Sequence, residues 1–211
     1  MAVMWKNRIE MIVFDWGGTL AYVDGQIEAL TRGASVVVEL LTGRNDHALA
    51  TDLAQEAMRA EKRAAMDPAG REVDLADLLD RWAMAHHGYT QEKAMIEQAI
   101  NAIGEHWVGH ALSVIPRVPE ALQQLHQNGH RLGLVSNCWI PPRYCRAELN
   151  RQGLDPLLDF AVFSSEVSYR KPSPHIFEAA ISKAYPNGAQ RDLSRVLFVG
   201  DSPTCDIMAP A

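Results

Sequence analysis

The chain has 211 residues, of which 47% are hydrophobic and 22% are charged, and its formal net charge is −6. This length allows one domain, or one domain with a sizeable insertion, and the composition is that of a folded globular protein rather than a disordered one. Because acidic residues outnumber basic ones, nothing favours binding to a phosphate backbone, and we expect no nucleic-acid partner.

The sequence also bears on location. No apolar run approaches the ~20 residues that span a bilayer, and the residues from Met1 to Glu10 lack the basic start and apolar stretch of a secretory signal. We therefore predict a cytoplasmic protein with no membrane segment. The three cysteines, Cys138, Cys145 and Cys205, are too widely spaced to indicate a disulfide framework or a zinc site.

Four short apolar runs, rich in β-branched and aromatic residues, are typical of buried strands in a parallel sheet. These runs are Ile9–Phe14, Leu132–Val135, Phe160–Phe163 and Val196–Val199. Helical patterns lie between the later runs, at Pro119–Asn128, Pro142–Gln152 and Pro174–Tyr185, and Gly129 and Gly153 are placed to end two of them. This alternation predicts an α/β fold with a Rossmann-like open parallel sheet as its core.

The segment between the first two predicted strands, roughly Leu20 to Pro116, is too long for a single crossover. It opens with a hairpin-like piece and then shows four helical patterns, at Gln26–Leu41, Asp46–Met66, Asp74–His86 and Gln91–Val108. We predict an α-helical cap domain at 21–116, inserted into a core made of 1–20 and 117–211. Within it, the charge-rich run Arg59–Arg63 is interpreted as a solvated helix face.

Small and polar residues follow three of the predicted strands, at the edge where open α/β sheets bind ligands. Asp15–Thr19 follow the first strand, Ser136 and Asn137 the second, and Gly200–Asp206 the fourth, while Arg170–Pro172 precede the last predicted helix. Any one of these pieces also suits a turn, a cap or a loop. Together they bring carboxylates, a hydroxyl and an ammonium group to one edge, a combination that suits a phosphoryl group and a divalent cation.

These pieces resemble the four motifs of the haloacid dehalogenase superfamily of hydrolases and phosphotransferases. The first motif is similar to Ile12–Leu20, the second to Leu134–Asn137, the third to Arg170–Pro172, and the fourth to Gly200–Asp206. The resemblance covers nearly the whole chain and implies a helical cap after the first motif. It also implies Mg²⁺-dependent hydrolysis of a small phosphorylated metabolite, by a monomer or a homodimer.

The resemblance further implies a role for each residue. Asp15 would be the nucleophile that forms an aspartyl-phosphate, and Ser136 and Lys171 would hold the transferring phosphoryl group. The side chains of Asp15 and Asp201 and the carbonyl of Gly17 would bind Mg²⁺. The remaining expected site residues are Gly18, Thr19 and Asn137, which would contact the substrate, and Asp206, which would support the site from behind.

Position 17 departs from the family pattern. Most phosphatases of this superfamily carry a second aspartate two residues after the nucleophile, where it protonates the leaving oxygen, and Gly17 occupies that position here. Such a general acid is typically worth 10²–10⁴ in rate. Three explanations stay open: a substrate with a good leaving group, an acid or base supplied by the cap, or a fold that has lost efficient catalysis.

Alternative functions also stay open. The phosphonoacetaldehyde hydrolase branch forms a Schiff base with a cap lysine, and the predicted cap contains Lys62 and Lys93. The metal-free dehalogenase branch and a non-catalytic binding role are the other two. Chains of this superfamily usually continue past the fourth motif, so the end at Pro210 and Ala211 predicts that the last part of the core is missing and that the fourth strand lies at a sheet edge.

Overall fold

A computed structural model describes residues 9–88, 91–186 and 192–208, without the side chains of His87 and Met208. The predictions about a leader and about the chain end concern residues 1–8 and 209–211, which lie outside the described residues. The strands are β1 (Met11–Phe14), β2 (Ala21–Tyr22), β3 (Ser113–Val114), β4 (Arg131–Ser136), β5 (Phe160–Phe163) and β6 (Val196–Val199). The α-helices are α1 (Gln26–Thr42), α2 (His47–Ala65), α3 (Leu75–His87), α4 (Lys93–Trp107), α5 (Val118–Gln127), α6 (Pro142–Arg151), α7 (Ser164–Val167) and α8 (Pro174–Ala184). Short 3₁₀ turns cover Asp155–Leu157 and Leu193–Arg195, and a π-helical turn covers Pro203–Met208.

The predicted open parallel sheet is confirmed. Its strand order is β5-β4-β1-β6, and every pair in it is parallel. Phe14 of β1 lies beside Leu134 of β4 on one side and Val199 of β6 on the other. β1 and β6 therefore end at the same level, β4 runs two residues further, and the residues that follow these strands are brought together at one edge.

The sheet is buried on both faces. Ile12 and Phe14 of β1 point into a large apolar core that continues into helices α1 to α4, whereas Met11 and Val13 point into a smaller core beneath α8. This alternation is the side-chain period of a strand. It explains why β1 is apolar at every position, as is typical of parallel strands covered by helices on both sides.

Four helices, α1 to α4, fill the segment between β2 and β3, in the order that the sequence predicts. The side chains of Asp46 and Asp74 accept hydrogen bonds from the first free N–H groups of α2 and α3, which fixes where these helices begin. The hairpin-like piece is different from the prediction: β2 pairs antiparallel with β3, about ninety residues further along the chain. The two ends of the helical segment are therefore tied together as a narrow ribbon.

A loop between α2 and α3 also reaches back to the sheet side of the molecule. Arg170 Nη1 forms an ion pair of 2.8 Å with Glu72 Oε1, and both side chains are buried. The Arg170 N–H donates to the carbonyl of Gly70, and the Ser164 hydroxyl donates to Glu72. The helical segment thus contacts the chain one residue before Lys171. In the described part of the chain, no helix is both long and apolar enough to cross a membrane.

Candidate active site

The candidate site is centred on a buried lysine between two carboxylates. Lys171 Nζ lies 2.8 Å from Asp15 Oδ1 and 2.7 Å from Asp206 Oδ1. Asp15 directly follows β1, and its N–H donates to the carbonyl of Val199 at the end of β6. The ends of two neighbouring strands therefore set the position of Asp15, while Lys171 offsets the negative charge that they gather.

Asp206 lies in the π-helical turn after β6 and is almost fully buried. Its second oxygen, Oδ2, accepts a hydrogen bond of 2.9 Å from the Ser202 N–H. A Cβ at Gly200 would come within 2.2 Å of that same oxygen. Glycine at position 200 therefore lets the turn fold back closely enough for Asp206 to reach Lys171.

A second close approach explains Gly18. Its φ is +81°, in the left-handed region, and a Cβ there would lie 2.3 Å from Asp201 Oδ2. The Asp201 carboxylate thus sits against the bare backbone of the loop after β1. Asp15, Asp201 and Asp206 each offer an oxygen, and these oxygens lie within 4.8 Å of one another.

This donor set fits a hard divalent cation. Mg²⁺ takes carboxylate and carbonyl oxygens and retains several waters, and the exposed Asp201 lies beside the more buried Asp15. Both oxygens of Asp206 already accept hydrogen bonds, from Lys171 and from the Ser202 N–H. The geometry therefore favours Asp15 and Asp201 as direct ligands and Asp206 as a group that holds Lys171.

The electrostatics of Asp15 reflect its burial. Loss of water raises the pKa of the Asp15 carboxyl above its usual value, although the charge and hydrogen bond of Lys171 act in the opposite direction. A cation bound to the same carboxylate adds to the effect of Lys171. The ionised form, which is the nucleophilic one, is then favoured.

A cavity of about 250 Å³ opens above these groups. This volume is slightly below the ~300–1,000 Å³ of typical ligand pockets, which favours a small ligand. Asp15 and Lys171 line it from the sheet edge, and further lining residues come from the helical segment. The residues that line it are Asp15, Trp16, Gly17, Val23, Gln26, Glu61, Trp107, Ala111, Leu112, Ser136, Asn137, Cys138, Trp139, Ile140, Arg170 and Lys171.

The expected substrate-contacting residues fall into two groups. Ser136 is buried at the end of β4 and lines the cavity beside Asn137. Asn137 also holds the Lys171 backbone on both sides, because its Oδ1 accepts from the Lys171 N–H at 2.7 Å and its Nδ2 donates to the Lys171 carbonyl at 3.1 Å. Gly18 and Thr19 are absent from the described lining of the cavity, and their contact with substrate stays a prediction.

The sequence interpretation missed Glu61, which lies in the charged run Arg59–Arg63. That run is only partly a solvated face, because Ala60 is buried and Glu61 is half-buried at the cavity wall. A helical signal was available: Glu61 follows the buried Ala57 by four positions and therefore lies on the same face of α2. Cys138, described above only as a thiol without a close partner in sequence, also lines the cavity, with its sulfur 3.4 Å from that of Cys145.

Comparison with known proteins agrees with this geometry. The family model for haloacid dehalogenase-like hydrolases matches residues 9–211. The pyrimidine 5′-nucleotidase YjjG of Escherichia coli (strain K12) is 32% identical over 112 residues, which are 53% of this chain and 44% of that protein. The matched part of this chain thus spans less than half of that relative.

Two further likenesses cover most of the chain. The phosphoglycolate phosphatase of Aliivibrio fischeri is 27% identical over 208 residues, 95% of this chain and 79% of that protein. The crystal structure of the HAD-hydrolase YfnB from Bacillus subtilis, bound to magnesium, superposes with a TM-score of 0.59 at 18% identity, covering 96% of this chain and 84% of that one. At this identity the structural likeness supports the fold.

Proposed function

This chain belongs to the haloacid dehalogenase-like hydrolases, and we propose that it is a Mg²⁺-dependent phosphatase of a small phosphorylated metabolite. The observation that carries the proposal is the placement of Lys171 between Asp15 and Asp206, with Asp201 beside them. The proposal includes the division into a core and a helical cap at 21–116. It also includes a cytoplasmic location, which suits the free thiols of its cysteines.

The chemistry follows from the residues at the end of β1. Asp15 attacks the phosphorus atom, the bond from phosphorus to the leaving oxygen breaks, and an aspartyl-phosphate forms; water then attacks the phosphorus and releases inorganic phosphate. Lys171 and the Ser136 hydroxyl hold phosphoryl oxygens during both transfers. Mg²⁺, held by Asp15, Asp201 and the Gly17 carbonyl, would supply charge neutralisation when bound.

The relatives support a phosphorylated substrate, since one is named a pyrimidine 5′-nucleotidase and another a phosphoglycolate phosphatase. The cavity volume of about 250 Å³ supports a small leaving group. Every group that the mechanism uses comes from one chain, so a monomer and a homodimer are both compatible with it.

Replacement of Asp15 tests the proposal. Asp15→Asn should abolish Mg²⁺-dependent phosphate release in a screen of phosphorylated metabolites and should leave no acid-stable phosphoryl adduct on the protein, because an amide cannot form the acyl-phosphate. Asp77→Asn, which alters an exposed carboxylate on α3, is the matched control and should keep wild-type turnover. Wild-type turnover in Asp15→Asn would refute the nucleophile. Turnover in excess chelator would refute the metal and favour dehalogenase-type chemistry.

A further inference from the structure

Glu61 lines the same cavity as Asp15 and belongs to the helical segment. It lies on α2, and its Oε2 accepts a hydrogen bond of 3.0 Å from Gln26 Nε2 at the start of α1. Gln26 lines the same cavity. Apart from Asp15, Glu61 contributes the single carboxylate among the described residues that line this cavity.

The hydrogen bond from Gln26 orients the carboxylate without neutralising it. Two nearby arginines pair with other carboxylates, because Arg59 and Arg63 form ion pairs with Glu56, and Arg59 also pairs with Asp52. Within the described ranges, none of the ion pairs involves Glu61. Among the described residues, no ion pair therefore competes with a ligand in the cavity for this carboxyl group.

The direction of the reaction decides which residues the leaving group meets. Attack and departure at phosphorus are roughly in line, so the leaving oxygen lies on the far side of the phosphoryl group from Asp15. Asp15 lines the cavity from the sheet edge, and Gln26 and Glu61 line it from α1 and α2. A leaving oxygen on the α1 and α2 side of the cavity would meet Glu61, the one carboxylate that these two helices contribute to the described lining.

We propose that Glu61 is the general acid and base of this enzyme, in place of the carboxyl group that Gly17 lacks; the inference rests on the proposed phosphatase function. In the first step the protonated Glu61 carboxyl gives its proton to the leaving oxygen, which takes the electron pair of the breaking P–O bond. In the second step the Glu61 carboxylate takes a proton from the attacking water as the aspartyl-phosphate bond breaks. One proton is taken up and one is given per cycle, so the enzyme returns to its starting state.

The charged residues that line the cavity also limit the charge that the substrate's leaving group can carry. Arg170 lines the cavity, but its guanidinium is paired with Glu72, and Lys171 is paired with Asp15 and Asp206. The described lining therefore offers a carboxylate on the leaving group no cation that lacks a counter-charge. The fitting substrate class is a phosphate monoester of a small neutral alcohol.

A leaving-group series tests the assignment. Wild type, Glu61→Gln and Glu61→Asp are mixed with an aryl phosphate and with a neutral alkyl phosphate in Mg²⁺, and release of the leaving group is followed before steady state. Glu61→Gln keeps the hydrogen bond but cannot give a proton, so alkyl release should fall by about 10²–10⁴. Aryl release should keep a burst of one equivalent, because a phenol departs unprotonated, and phosphoenzyme should then accumulate for lack of a base. Glu61→Asp should recover part of the alkyl rate.

The controls separate the two proposals. Glu97→Gln, on the exposed face of α4, should match the wild type with both substrates. An unchanged ratio of alkyl to aryl rates in a folded Glu61→Gln protein would overturn the role of Glu61 and leave the phosphatase intact. A wild type that releases neither leaving group would overturn the phosphatase function and this inference with it.

Discussion

Adding a carboxyl group at position 17 should restore alkyl phosphate turnover when Glu61 is replaced by glutamine. In a Glu61→Gln background, Gly17→Asp supplies an acid two residues after Asp15, and alkyl phosphate turnover should rise by about 10²–10⁴. At about 1.4 kcal/mol per decade, this corresponds to roughly 3–5 kcal/mol of transition-state stabilisation. In the wild-type background the same substitution should change the rate by less than about tenfold, because Glu61 already supplies the proton.

The structure accommodates this substitution. Gly17, unlike Gly18, is not among the residues with positive φ, so aspartate can adopt its backbone conformation. The new Cβ would lie 2.9 Å from Val23 Cγ2, closer than the ordinary contact of 3.4 Å or more, but Val23 is 51% exposed and can move aside. We expect a cost of about 1 kcal/mol in the free energy of unfolding.

The assay compares alkyl and aryl phosphate turnover in four proteins: wild type, each single variant and the double variant. Gly17→Asn in the Glu61→Gln background is the matched control, because asparagine has the same shape but gives no proton, and it should rescue nothing. Thermal unfolding and Mg²⁺ binding establish that each protein is intact. A folded, Mg²⁺-binding double variant that stays as slow as Glu61→Gln would refute the argument that a missing proton limits the reaction.

Two further outcomes follow from the structure. Glu72→Gln leaves the Arg170 guanidinium buried without a counter-charge, so the free energy of unfolding measured by urea titration should fall by about 3–5 kcal/mol. The double variant Glu72→Leu with Arg170→Met should recover most of that loss. A loss below about 1 kcal/mol in Glu72→Gln would contradict this prediction. Lys62 and Lys93 are exposed and are absent from the described cavity lining. Borohydride with phosphonoacetaldehyde should therefore trap no adduct on either lysine. An adduct on one of them, found by peptide mass mapping, would favour the phosphonoacetaldehyde hydrolase branch instead.

Local chemistry made much of the fold predictable. The strands Phe160–Phe163 and Val196–Val199 have the bounds that their apolar runs indicate. Phe160–Phe163 is buried at every position, as is typical of a strand covered by helices, whereas Val196–Val199 lies at the sheet edge and is only partly buried. Helices α2 and α3 begin where Asp46 and Asp74 can cap them. The pairing of β2 with β3 was not predictable, since two residues are too few for a periodic pattern and their partner is distant in sequence.

The candidate site was predictable where its parts follow strands and not where they lie on a helix. Asp15 and Ser136 lie at strand ends, and parallel strands bring such ends together. Glu61 sits among arginines and a lysine, and a charged run by itself favours exposure. Only the position of α2 relative to the sheet, which depends on packing between distant segments, brings one of its polar residues to the cavity that Asp15 lines.

The ion pair between Glu72 and Arg170 limits how modular this protein is. A helical insertion joined to a sheet only through two connecting strands could be exchanged for another by recombination. Here the loop after α2 supplies the counter-charge of Arg170, whose neighbour in sequence is Lys171. A hybrid that carries a foreign insertion would bury an unbalanced guanidinium next to Lys171. Exchanging the helical insertion to change substrate preference therefore requires that Glu72 and its loop be retained, or that Arg170 be replaced at the same time.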